Sequence, residues 1–567
     1  MMGAGLMTRS RGMFKPPYAG HDAVSRIRFA ALVGVALVLA LGLRVVGLDH
    51  RPMHHDEANQ AVKFGVLLET GEYTYDRTDH HGPTLYYLTL PVALLRGQAT
   101  LASLDARTVR LVPAIFGVGL LLLFLSLTSR LGRLAVAAAV LLAAVSPALV
   151  YYSRFYIQES IFAFLAVACL VALGRYGERQ TMAAAVTAGV CVGLAYATKE
   201  TTVIVVPAAV AAVAVARHLP SGPGGHRMAA RMMDSRTWPP ARHLAAGGAA
   251  ALAIAWLFFS SFGSHPDGFV DSIRAFGLFF ERGTGAGSHS QPWYHYLGLL
   301  VWSSSGGVVW TEAAILVLAI AGLVSACRAT GSYWQRVVAL YAVFATLAFS
   351  LVSYKTPWNL LPFYAGVVLL AGIGAQALVT PWGQTNRWGQ IPRHPMIQTP
   401  WALTPSAGQR RALTPWLVGA VLVAVCAHLG WQSWQASLRD GADPRNPYAY
   451  LHTSPDLLRL VQRVTDLAAL HGDHDRMLVR VVAGPYEQWP LPWYLRRMTR
   501  VGYWPRAAEA GPFDGTPVLI ASQENVPALE AALGDRYISE MYGLRPEVFL
   551  TVFIERGLWE RYLATRH

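Results

Sequence analysis

The sequence predicts a polytopic α-helical membrane protein of about eleven transmembrane helices, with a small extracytoplasmic α/β domain at its C-terminal end. Three observations carry this. Of the 567 residues, 54% are hydrophobic and only 14% are charged, whereas a soluble domain carries roughly 25% charged residues. Apolar runs long enough to cross about 30 Å of hydrocarbon recur along the chain. The arginines collect in short stretches between those runs, as they do in cytoplasmic loops. The net charge of +14 therefore belongs to loops. No interleaving of basic and aromatic residues of the single-strand-binding kind is present, so nucleic acid is not an expected partner. Cys169, Cys191, Cys327 and Cys426 all lie inside apolar runs without a CxxC pair. They read as buried apolar residues rather than a zinc ribbon or a disulfide framework.

In chain order, residues 1–28 form a basic N-terminus carrying Arg9, Arg11, Lys15, Arg26 and Arg28. The first apolar run follows at 29–48. It is longer than a signal-peptide core and reads as an uncleaved span with its N-terminus in the cytoplasm. Further runs lie at 109–129, 134–152, 156–174, 181–198, 201–217, 244–262, 308–327, 336–353, 359–379 and 414–433. An odd count puts the C-terminus outside. The loops this topology places inside carry Arg130 and Arg133, Arg175 and Arg179, Arg217 to Arg242, Arg328 and Arg336, and Arg387 to Arg411. Each inside loop thus bears arginine, as the positive-inside rule requires. Counting Leu85–Leu95 as a span would move two of these pairs outside, so that short run is an interfacial helix of the first outer loop, 49–108. The loops 218–243 and 380–413, rich in Pro, Gly, Arg and Trp, read as irregular and cytoplasmic.

The membrane part thus spans 29–434, and 435–567 forms the outer domain. There Met477–Ala483, Pro517–Ser522 and Val548–Ile554 read as strands, and Glu487–Met498, Val526–Leu533 and Leu558–Leu563 as helices.

With this topology the unusual polar clusters share the outer face. They are His54-His55-Asp56-Glu57 with Asp79-His80-His81, Tyr151 to Glu159 (with Arg154), Lys199-Glu200, and Tyr354 to Asn359 (with Lys355 and Trp358). Charges beside hydrocarbon are costly and mark function by default. One outward-facing cavity is the economical expectation.

These residues resemble motifs of the GT-C integral-membrane glycosyltransferases, in the branch of protein O-mannosyltransferases and lipid A aminoarabinose transferases. The resemblance covers roughly 29–380. It rests on Asp56-Glu57 in the first outer loop and on Gly82-Pro83-Thr84-Leu85-Tyr86-Tyr87. Arg154 to Glu159 resembles an Arg-x4-acid motif in which Asp is commoner. Lys199, and Lys355 with Pro357, Trp358 and Pro362, complete it. The tetrad and Trp489 to Arg496 also resemble a subfamily labelled flippase-activity-associated, which implies a tie to lipid-linked glycan export.

The resemblance implies a polyprenyl-phosphate sugar donor in the bilayer, an inverting transfer to an acceptor hydroxyl of a glycan, lipid or protein, and a multi-pass protein of the plasma (inner) membrane. A hydroxyl needs a general base, and Asp56 is the candidate; the same position also suits a helix cap. Glu57 is expected to orient the base. The leaving phosphate gains charge and calls for cations, so Arg154, Lys199 and Lys355 are the expected phosphate ligands. Pairing of Arg154 with Glu159 and of Lys199 with Glu200 are the competing structural readings. His54, His55, His80, His81, Tyr86, Glu159 and Trp358 are expected around the substrate. No cofactor is required; a divalent metal, held by His55, Glu57 and His81, is a secondary expectation. A transport or non-catalytic subunit for lipid-linked glycan export is the alternative function, although no repeated halves with broken helices are seen.

Overall fold

The computed structural model describes residues 19–78, 81–219, 239–284, 289–305, 307–379 and 415–566. Each of the eleven apolar runs is mainly helical, although 308–327 opens with the short strand Val308–Trp310. The first is α1 (Ala19–Val45). The first outer loop then supplies α2 (His55–Thr70) and α3 (Thr84–Leu95), and α4 (Ala106–Leu125) returns through the bundle. Helices follow at Arg133–Val145, Glu159–Arg179, Met182–Tyr196, Thr202–His218, Ala241–Phe259, Ala313–Cys327, Tyr333–Leu351, Leu361–Val379 and Pro415–Trp434. Among the described residues, seven helices are long and apolar enough to cross a membrane. The remaining runs form shorter apolar helices; Arg133–Val145 continues past Ser146 as Pro147–Tyr152. Most of the loop 218–243 and all of 380–413 lie outside the described residues.

The bundle is layered. In the most apolar stretch of Pro357–Val379, 78% of residues are buried and the segment is central, while in those of Ser25–Val45 and Ala241–Phe259 only 17% are buried and the helices are peripheral. Small residues let helices approach backbone to backbone, as is usual in membranes. A Cβ on Gly374 would overlap the Leu318 carbonyl, and one on Gly189 the Gly247 carbonyl. Buried arginines close several helix ends. Arg44 on α1 donates to Ala143 O (2.9 Å) and Ala144 O (3.0 Å), the last carbonyls of Arg133–Val145. A guanidinium there satisfies open carbonyls and favours the negative end of the helix dipole.

The segment 263–310, most of it between the apolar runs 244–262 and 308–327, contains the helices Asp267–Thr284 and His295–Val301 and a hairpin of β1 (Ser303–Ser305) and β2 (Val308–Trp310).

The outer domain is a five-stranded mixed sheet with helices. Its strands are β3 (Val479–Val482), β4 (Val501–Trp504), β5 (Val518–Ser522), β6 (Tyr537–Arg545) and β7 (Val548–Glu555), in the order β4-β3-β5-β7-β6. β4, β3 and β5 run parallel, and β7 is antiparallel to β5 and β6. β5 is buried along its whole length. Val518 and Ile520 face a core shared with Leu457, Leu460 and Val464 of the helix Asp456–Leu470. Leu519 and Ala521 face one shared with Leu529 and Leu533. The helix expected at Glu487–Met498 shrinks to the single turn Leu491–Tyr494, because Pro490 and Pro492 lack the N–H groups an earlier start would use.

Candidate active site

The site begins at the first turn of α2. Its N-cap is His54, with φ −67° and ψ 157°. The Asp56 N–H donates to His54 Nδ1 (3.1 Å), and the His54 N–H donates to Glu57 Oε2 (3.0 Å). This is a capping box with histidine in the place of serine or threonine. It removes the capping reading of Asp56. The Asp56 side chain is 41% exposed, and its carboxylate makes no hydrogen bond among the described residues. His54 Nδ1 is an acceptor here, so Nε2 carries the proton and donates to Tyr450 O (3.3 Å). Burial lowers the His54 pKa against the pull of Asp56 and Glu57. The ring is therefore neutral, and its 3.7 Å approach to Asp56 Oδ2 is not an ion pair.

Glu57 is fully buried and fully occupied. Arg110 donates Nε to Oε1 (2.7 Å) and Nη2 to Oε2 (2.8 Å). Arg51 Nη2 reaches both oxygens at 3.1 Å. The Tyr156 N–H adds a fifth donor group at 2.9 Å. Burial alone would raise the Glu57 pKa, but the Arg110 and Arg51 guanidiniums hold it well below the usual carboxylate range. Glu57 is a permanently charged strut beneath Asp56, with no lone pair open to substrate.

Arg154 is engaged by backbone carbonyls. Its guanidinium donates to Leu43 O (3.0 Å), Val46 O (2.8 Å) and Gly47 O (2.8 Å), closing the C-terminal end of α1. It does not pair with Glu159, whose partner is Lys199. Lys199 Nζ also donates to Asn359 Oδ1 (2.8 Å), and Glu200 pairs with His81 Nδ1 (3.3 Å) instead of with Lys199. Burial would lower the His81 pKa, but Glu200 raises it. Lys355 is buried, its ammonium bonded to Gln291 O (3.0 Å) and Val352 O. The Lys199 and Lys355 ammonium groups thus each meet two acceptors, out of the three an ammonium can serve.

Tyr86 also departs from expectation. It is buried, and its hydroxyl donates to Gln60 Oε1 between α2 and α3, so it is core. Trp358 does reach the site: its ring lies 5.6 Å from His54 and 6.0 Å from Tyr450. His55 sits between Tyr486 (6.2 Å) and Trp489 (6.1 Å) of the outer domain. His80 lies outside the described residues. The turn Pro357–Leu360 joins the two halves of the site, with Trp358 in the Asp56 half and Asn359 in the Lys199 half. The sequence clusters thus meet at one end of the bundle.

A metal held by His55, Glu57 and His81 does not fit. Glu57 is occupied by two guanidiniums, His55 is packed on the outer domain, and His81 is on Glu200. Among the described residues no three His, Cys, Asp or Glu side chains gather as metal ligands.

Five contributors escaped sequence reasoning. Arg51 and Arg110 grip Glu57; Arg110 is a charge inside the apolar run 109–129, which is the signal that would have found it. His289, Tyr450 and His452 come from remote connectors with no motif. His289 Nδ1 and the Tyr450 hydroxyl are 2.8 Å apart. Burial lowers the His289 pKa while the nearby Asp56 carboxylate opposes it. His452 packs 5.5 Å from the His54 ring.

A family profile described as dolichyl-phosphate-mannose-protein mannosyltransferase matches residues 82–226. No curated protein sequence matches the chain. The crystal structure of ArnT from Cupriavidus metallidurans bound to undecaprenyl phosphate is similar, with a TM-score of 0.57 at 16% identity, covering 94% of this chain and 99% of that one. The oligosaccharyltransferase AglB from Archaeoglobus fulgidus, in complex with an inhibitory peptide and a dolichol-phosphate, gives a TM-score of 0.50 at 14% identity, covering 95% of this chain and 77% of that one. The chain is a multi-pass membrane protein that shares the fold of the ArnT structure.

Proposed function

We propose that the protein moves a sugar from a polyprenyl-phosphate donor to an acceptor hydroxyl at the outer face of the plasma membrane, with its N-terminus in the cytoplasm. The observation that carries this is the contrast between two adjacent acids. Glu57 is sealed by Arg51 and Arg110, whereas Asp56 is held open on the same helical turn. Asp56 acts as general base, taking the proton of the acceptor hydroxyl as it attacks the anomeric carbon. Polyprenyl phosphate leaves from the opposite face, so the configuration inverts. Lys199, His81 and Lys355 stabilise the charge the phosphate gains. The lipid phosphates in the ArnT and AglB structures support the donor class.

The test offers purified protein labelled polyprenyl-phosphate sugars and nucleotide sugars in parallel, with an extract of envelope glycans, lipids and proteins as acceptor. Transfer from the lipid donor alone, with an inverted product, is expected. Transfer from the nucleotide sugar, or no transfer with lipid-linked glycan export dependent on the protein, overturns the reading.

A further inference from the structure

The run Trp489 to Arg496, which contains Pro490 and Pro492, forms a seam between the two parts of the molecule. Leu491 and Leu495 belong to the core of the outer domain. Trp493, only 2% exposed, belongs to the core of the membrane part, against which Trp489 and Tyr494 also pack. The seam ends just before the turn that carries the candidate base. The Met53 N–H, three residues before Asp56, donates to the Tyr494 hydroxyl (2.8 Å). Arg496, stacked over Trp493 (3.8 Å), donates to Leu104 O (2.6 Å). Asp105 next to it caps α4 through the Thr108 N–H (2.7 Å), and α4 carries the Arg110 that grips Glu57. Two contacts from one turn of the outer domain thus fix both supports of the Asp56-Glu57 turn.

We propose that Tyr494 and Arg496 are positioning residues for the transfer reaction, and that the outer domain forms one working unit with the first outer loop. This rests on the proposed function. A buried amide that loses its acceptor is costly and drives local rearrangement, and displacement of a reacting group by about 1 Å lowers rate steeply. The residues act through Asp56, so the chemical step, not donor binding, carries the effect.

The experiment uses full-length protein in nanodiscs and compares wild type with Tyr494→Phe, which keeps the ring, and Arg496→Gln. Turnover of a labelled polyprenyl-phosphate sugar and amide hydrogen exchange over residues 49–60 are both measured. The expected result is a fall in kcat of about tenfold, donor KM within about twofold of wild type, a thermal midpoint for Tyr494→Phe lowered only slightly, and exchange at Met53 to Glu57 faster by about tenfold. Faster exchange with unchanged kcat overturns the positioning role. Unchanged exchange in both variants overturns the clamp itself. Wild-type protein that transfers no sugar overturns the proposed function instead, and the exchange measurement still decides the clamp.

Discussion

At the scale of single residues, two neighbouring carboxylates have opposite assignments because their surroundings differ. Glu57 lies in a buried network with two guanidiniums. Removing one partner of such a network leaves an uncompensated charge, at a cost of about 3–5 kcal/mol. Glu57→Gln is therefore expected to lower the thermal midpoint sharply, whatever its effect on activity. The depressed Glu57 pKa adds a sign. Its stabilisation is complete above the unfolded value near 4.5 and is lost as pH falls toward the folded value. His81 has the reverse sign. Its pKa is raised by Glu200, so the stabilisation from that pair is complete below the unfolded value near 6.5 and is lost as pH rises through the folded one. The thermal midpoint should fall from pH 6 upward more steeply in wild type than in Glu200→Gln. Equal slopes would remove His81 as the titrating group.

At the scale of elements, helix capping uses two side chains that sequence reading took for ligands, Arg154 and His54, and one that it did not single out, Arg44. Arg154 serves the C-terminal end of α1, Arg44 serves the helix Arg133–Val145, and His54 serves α2. A motif such as Arg-x4-acid shows the residue types but not which carbonyls they will meet, because Leu43 and Val46 are remote in sequence from Arg154. Helix contacts were equally hidden. Gly189 reads as an ordinary apolar-run glycine, yet it lies directly on the Gly247 carbonyl. Gly189→Leu is expected to force Met182–Tyr196 away from Ala241–Phe259 and to destabilise by about 1–3 kcal/mol or more, read as a lower thermal midpoint in nanodiscs. A midpoint unchanged from wild type would contradict the close packing.

At the scale of the whole molecule, hydropathy and arginine placement were enough to find the eleven helical runs. Composition also announced the change to a separate outer domain, and β3, β5 and β7 came close to their expected places. β4 was missed because it is a half-buried run of only four residues interrupted by Gly502, and β6 because its residues are mostly half-buried and mixed in polarity. The gathering of Asp56, Trp358, Lys199 and His81 at one end of the bundle followed from topology alone. The connectors that complete that end, with His289, Tyr450 and His452, have no sequence signature, since their role depends only on where the chain folds back. The outer domain, which reads as a tethered appendage, instead contributes directly to the surroundings of α2.

All of this centres on Asp56 as the open acid of a site that Glu57 braces. Single-turnover transfer from a labelled polyprenyl-phosphate sugar, compared between wild type and Asp56→Asn at equal thermal midpoint, tests it directly. Loss of a general base is expected to slow the chemical step by about 10²- to 10⁴-fold, with donor affinity retained. Transfer by Asp56→Asn at the wild-type rate would contradict the account and return the search to the other acids of the outer face.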